Sequence, residues 1–167
     1  MQALLRNITP TRAAVGVLII AFATIVGAWI FEYFGYAPCD LCLKQRWAYY
    51  AGVPLAALAA LAAANAVSGT RPLLWLLALI FVGSSIFGVY HAGVEWGFWP
   101  GPAGCTGTSM PTVSNMNDFM KQLQTTRVVR CDEVALRIFG VSLAGWNAVL
   151  SAGMATLAFM GARARAA

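Results

Sequence analysis

The stretch Ala13–Phe31, AAVGVLIIAFATIVGAWIF, runs for 19 residues without a charged side chain, bracketed by Arg12 and Glu32. A hydrocarbon core about 30 Å thick is crossed by roughly 20 apolar residues in an α-helix, so this segment is long enough to span once. Three more charge-free stretches follow: Trp47–Thr70, Pro72–Val94 and Ile138–Ala162, of 24, 23 and 25 residues. Lipid offers backbone groups no partner, so each spanning segment must bond within itself, and helices are the expected form.

Composition agrees with that reading. The 167 residues are 60% hydrophobic and 10% charged, where a soluble domain carries about 25% charged residues. Four long apolar runs in so short a chain exclude an ordinary soluble core. Alternating ten-residue segments, the mark of a membrane β-barrel, are absent. Arg6 and Arg12 precede the first run as in a signal peptide, but the run exceeds the roughly 7–15 residues of a signal's apolar region, and it reads as an uncleaved span. The expected architecture is an all-α membrane protein: a four-transmembrane-helix bundle with two functional loops on one side. It forms a single membrane domain over residues 1–167, with spans at about 13–31, 47–64, 72–94 and 141–161 and larger loops at about 32–46 and 95–140. The net charge of +5, spread over loops and termini, suits anionic lipid headgroups rather than nucleic acid.

Counting positive charges does not orient the chain. The terminal side carries Arg6, Arg12, Arg71, Arg163 and Arg165; the loop side carries Lys44, Arg46, Lys121, Arg127, Arg130 and Arg137. The cysteines decide instead. Cys39, Cys42, Cys105 and Cys131 all fall in the two larger loops. An even set gathered on one face points to an oxidising compartment there. The termini are therefore expected in the cytoplasm and, in a bacterium, the loops in the periplasm.

Packing signals are present in the spans. Ser84 and Gly88 form a small-xxx-small pair, and the alanine-rich second span allows close helix approach. Pro54 is expected to kink that span, and Ser142 and Asn147 to face the interior. Trp96, Phe98 and Trp99 read as an interfacial aromatic cluster. Phe119, Met120 and Leu123 suggest a short helix on the membrane surface.

The first loop ends in PCDLCLKQRW, Pro38–Trp47. Its C-x-x-C has several readings. A zinc site would want a second close pair, and Cys105 and Cys131 are 26 positions apart. No histidine follows Cys42, so haem attachment is excluded. A structural disulfide suits a long loop better than a four-residue ring, which is strained and reducible. A redox-active pair suits the surroundings: Cys42 falls near the start of a helix, with Lys44 and Arg46 nearby to favour a thiolate. At the membrane edge such a sulfur can meet a water-soluble partner and a lipid-soluble oxidant. Arg46 reads either as a snorkelling, phosphate-binding residue or as a guanidinium at a reduced carbonyl cofactor. His91 reads either as an interfacial hydrogen-bonder or as a proton donor to that cofactor.

Several segments together resemble the DsbB family of bacterial disulfide bond formation proteins. They are Pro38-Cys39-Asp40-Leu41-Cys42-Leu43-Lys44-Gln45-Arg46, Tyr90-His91-Ala92-Gly93-Val94-Glu95, the distant cysteines Cys105 and Cys131, and Trp146-Asn147. The resemblance covers essentially the whole chain. It implies a multi-pass protein of the bacterial inner membrane that reoxidises a periplasmic DsbA-like thiol oxidase and passes two electrons to a membrane quinone, ubiquinone or menaquinone. It further implies that a Cys105–Cys131 disulfide meets the reduced partner, with Cys105 taking the mixed disulfide and Cys131 exchanging with Cys39. Cys42 would face the quinone, with Arg46 at its carbonyl and His91 nearby; no metal is implied. Where some family members carry Glu, this chain has Gln45, and the same reaction is expected. DsbA sits at about −120 mV, so its reoxidation needs an acceptor of higher potential. Two other functions compete. A vitamin K epoxide reductase-like enzyme would carry its C-x-x-C late in the chain. A non-catalytic four-span scaffold would use both cysteine pairs as structural disulfides that resist mild reductant.

Overall fold

A computed structural model describes residues 8–102 and 130–164. It contains four long helices: α1 (Pro10–Tyr33), α2 (Asp40–Ala64), α3 (Thr70–Glu95) and α4 (Leu143–Arg163). All four are long and apolar enough to cross a membrane. Each packs against two neighbours in the order α1–α2–α3–α4 and back to α1. The architecture is thus the all-α, four-span bundle expected from the charge-free runs.

Local chemistry sets the helix ends. Thr9 caps α1 through a 3.2 Å bond from the Arg12 N–H, with Pro10 following it, where a missing N–H costs nothing. Ser142 caps α4 in the same way, accepting from the Gly145 N–H at 3.2 Å. α2 runs through Pro54 without ending. It also begins earlier than its charge-free stretch, at Asp40 rather than near Trp47. The C-x-x-C therefore lies on the first turn of a helix and not in an open loop.

The core is made of small and branched side chains: Ala14, Val17, Ala21, Leu74, Leu77, Phe81, Met154 and Ala158 are all buried. α3 and α4 approach backbone to backbone at Gly88, where a Cβ would fall 2.9 Å from the Ala148 backbone nitrogen. The small residues expected from the sequence thus bring α3 and α4 together. Outward lie Ile19, Leu79 and Ile86, each more than 60% exposed. In water such apolar surface would be a liability; against lipid it is the proper solvent-facing side.

Between α3 and α4 the described chain forms one short hairpin that the sequence reading left as loop. β1 (Arg137–Ile138) pairs antiparallel with β2 (Val141–Ser142). The turn residues Phe139 and Gly140 both have positive φ, 53° and 81°, as a two-residue hairpin with the strands' own twist requires. The surface helix expected around Phe119–Leu123 lies outside the described residues.

Candidate redox site and the adjoining groove

Cys39 is the N-cap of α2. Its sulfur accepts the Cys42 N–H at 3.2 Å, filling the place usually taken by a Ser or Asp oxygen. Residues three apart share a helix face, so the Cys42 sulfur stands beside it at 2.8 Å, the two thiols hydrogen-bonded. His91, buried on α3, brings Nε2 to 3.5 Å from the Cys39 sulfur. Gln45, one turn beyond Cys42 and also buried, holds the other ring nitrogen: its amide nitrogen is 3.0 Å from Nδ1. An amide N–H donates, so Nδ1 accepts and the ring proton resides on Nε2, directed at Cys39.

This arrangement favours the Cys39 thiolate. Its pKa is brought down, first by the hydrogen bond with the Cys42 thiol; burial opposes this, and bonds from His91 and the Cys42 N–H add to it. The sequence had directed the helix N-terminus and nearby cations at Cys42. The structure gives the cap to Cys39, and it pairs those cations elsewhere. Lys44 binds Asp40 at 2.7 Å across one exposed turn, which gives Asp40 a structural place at the helix start. Arg46 binds Glu32, at the end of α1, at 2.6 Å, and is itself mostly buried.

Two spaces adjoin the thiols. The smaller, about 30 Å³, lies among Cys39, Cys42, His91, Glu95 and the loop residues Arg130 and Glu133, enough for a water. The larger, about 680 Å³, is an apolar groove bounded by α1, α2 and α4. Cys42, Gln45, Arg46 and Tyr49 line it along one face of α2, at the spacing that puts side chains above one another. Asn147 and Trp146 line it from α4, and Phe31 and Thr24 from α1.

From the second loop, Cys131 is buried in one cluster with Cys39, Leu41 and Val94, and it is disulfide-bonded. Beside it Arg130 forms a two-pronged pair with Asp132, at 3.0 and 2.6 Å. Of the residues singled out by sequence, Cys39, Cys42, His91 and Cys131 thus converge, and Arg46 lies on the groove side. Cys105 lies outside the described residues. The donor atoms of Cys39, Cys42 and His91 also fall within 4.8 Å of one another, a thiol–thiol–imidazole set that the C-x-x-C spacing alone did not suggest. Gln45 and Tyr49 were missed as site residues. Their signal was available: positions three and seven after Cys42 on one helix.

Comparison with known proteins agrees with this geometry. The family model described as "Disulfide bond formation protein DsbB" matches residues 10–161. An uncharacterized protein of Rickettsia prowazekii (strain Madrid E) is 29% identical over 145 residues, covering 86% of this chain and 79% of that protein. No solved structure matches the chain.

Proposed function

Because the chain belongs to the DsbB family of disulfide bond formation proteins, we propose that it is a quinone-dependent protein-disulfide oxidase of the bacterial inner (plasma) membrane, its termini cytoplasmic. It reoxidises a periplasmic DsbA-like thiol oxidase and delivers two electrons to ubiquinone or menaquinone. The observation that carries this reading is the placement of one thiol pair between two surfaces. Cys131 packs in the cluster of Cys39 on one side, and the groove reaches Cys42 on the other.

The groove suits a flat apolar ring bearing carbonyl oxygens. Its walls are almost wholly apolar, and Arg46 stands among them next to Cys42 in the helical register. A quinone bound there supplies a two-electron acceptor. The chain's own residues do the rest. A thiolate of the reduced partner attacks the loop disulfide, Cys105 taking the mixed disulfide and Cys131 leaving as thiolate. The partner's second thiol displaces Cys105, so the partner leaves oxidised and the loop pair is a dithiol. Cys131 next attacks Cys39 in a Cys39–Cys42 disulfide, and Cys105 closes on Cys131. The inner pair is left as the dithiol seen here, having received the two electrons and two protons of one partner dithiol. Cys42 leaves when Cys131 attacks Cys39, and Cys39 leaves as the thiolate when Cys105 closes on Cys131. His91 stabilises that leaving thiolate, while Cys42 presents sulfur to the groove.

The test is anaerobic quinone reduction by the purified protein, given a reduced DsbA-like dithiol, with Cys42→Ser in parallel. Turnover in the parent and none in the variant is the expected result. Failure with every quinone, while the disulfides survive the dithiol, overturns the reading.

A further inference from the structure

The groove contains a buried, unpaired polar atom that the relay does not use. Asn147 is 8% exposed and lines the groove, and its Nδ2 has no hydrogen-bond partner among the described residues. A buried amide left unpaired loses its hydration without compensation, so native structures rarely keep one without a use.

Its orientation is fixed from behind. The Tyr49 hydroxyl donates to Asn147 Oδ1. Tyr49 oxygen lies 3.3 Å from Ser151 Oγ, which lies 3.0 Å from Ser84 Oγ. Each hydroxyl has one proton. With the Tyr49 proton given to Asn147, Ser151 donates to Tyr49 and Ser84 donates to Ser151. This string, drawn from α3, α4 and α2, ends on Oδ1 and leaves Nδ2 as the unspent donor. The other neutral donors on the less exposed lining residues are committed: Gln45 to His91 at 3.0 Å, Thr24 to the Ile20 carbonyl at 2.7 Å and Trp146 to the Ile138 carbonyl at 2.9 Å. The Tyr36 hydroxyl belongs to an exposed side chain.

We propose that Asn147 Nδ2 is a second hydrogen-bond donor for the quinone ring, holding the carbonyl oxygen farther from Cys42 while Arg46 holds the nearer one. The proposal rests on the quinone reading above and deepens it. Tyr49, which anchors the amide, follows Arg46 by three residues, about 4.5 Å of helix rise. Arg46 and Asn147 line the groove from different helices, α2 and α4, and Asn147 is held at the level of Tyr49, one turn beyond Arg46 from Cys42, so one ring in the groove can offer a carbonyl oxygen to each. The contact also answers a problem of access. A groove of apolar walls facing a bilayer is open to acyl chains, which carry no acceptor. A buried donor that only a carbonyl satisfies discriminates against them, because any other occupant leaves it unpaired.

The test uses the full-length protein in detergent and ubiquinone with a single isoprene unit, binding being read from quenching of tryptophan fluorescence; Trp146 lines the groove. Asn147→Leu removes the donor at nearly constant volume. Because it also strands the Tyr49 hydroxyl, the Tyr49→Phe/Asn147→Leu double variant is measured with it, since removing both partners of a buried bond is close to neutral for folding. Both are expected to bind three- to tenfold more weakly, with the Tm of the double variant near the parent's. A double variant that binds within twofold of the parent overturns the role of Asn147 and leaves the quinone reading standing. A parent protein that shows no saturable binding overturns both.

Discussion

Gln45 places its amide nitrogen 3.0 Å from Nδ1 of His91, and His91 places Nε2 3.5 Å from the sulfur of Cys39. A neutral side chain on α2 thereby decides which face of an imidazole on α3 carries the proton. The consequence is chemical, because only a protonated Nε2 can donate to a thiolate at Cys39.

His91→Ala should therefore raise the Cys39 pKa. A hydrogen bond to a charged group is worth about 1.5–3 kcal/mol, so the shift should be about one pH unit or more. A lowered pKa means that the thiolate persists into acid; losing a group that lowers it moves the profile upward. Alkylation rate against pH, in a Cys105→Ala/Cys131→Ala background, reads this directly. Gln45→Leu should move the profile the same way by less, since the ring stays but loses its fixed tautomer. An unchanged midpoint in both variants would show that the Cys42 thiol and N–H alone stabilise Cys39.

Cys39 as a helix cap makes a second expectation unusual for a redox cysteine. Cys39→Ser should abolish electron transfer and yet leave thermal stability nearly unchanged, because serine is a preferred N-cap. Cys39→Ala should lose the cap, at a cost of about 1 kcal/mol. Thermal unfolding in detergent separates the two; equal Tm values would mean that the sulfur's bond to the Cys42 N–H contributes nothing to the helix.

How much of this was legible in sequence depends on which contacts are local. The spans follow from the lengths of charge-free runs. Ser84 and Gly88, Ser142 and Asn147 followed from the rule that small and polar side chains turn inward, and all four are buried. The sequence placed Cys42 near a helix start, but the charge-free run alone does not show that the helix extends back to Asp40, because Asp40, Lys44 and Arg46 interrupt the apolar pattern. The first two helical turns accommodate all three: Asp40 and Lys44 pair across one turn, and Arg46 reaches back to Glu32. The groove could not be read at all, because three helices distant in sequence supply its walls. Nor could the Gln45–His91 bond, whose partners are 46 positions apart.

Packing between α3 and α4 gives a prediction independent of the chemistry. A methyl group at Gly88 would stand 2.9–3.0 Å from the backbone and Cβ of Ala148, and backbone cannot rotate aside. Gly88→Ala should cost about 1–3 kcal/mol, as overpacking does. Gly83→Ala on the same helix, where a Cβ meets nothing within 4 Å, should be neutral or slightly stabilising because alanine has the better helix propensity. Comparable Tm losses in the two would contradict the close approach.

Arg46 gives the last prediction, which turns on the difference between charge and shape. The Arg46 side chain is 11% exposed, bonded to Glu32 at 2.6 Å, and lines the groove beside Cys42. A guanidinium has five N–H groups, so the Glu32 bond leaves others to face a carbonyl oxygen. Arg46→Met keeps most of the apolar stem and removes every donor; it should raise the KM for quinone about tenfold or more, the worth of one charged hydrogen bond. Arg46→Lys should recover only part of that, because a single ammonium cannot hold Glu32 and the quinone in the same planar fork. Glu32→Gln tests the anchor apart from the donor. It keeps an acceptor oxygen for Arg46 but weakens the pair, so the quinone KM should rise by less than in Arg46→Met. Should Arg46→Lys bind quinone as the parent does, positive charge alone would suffice at this position, and the guanidinium's geometry would have no part in holding the ring.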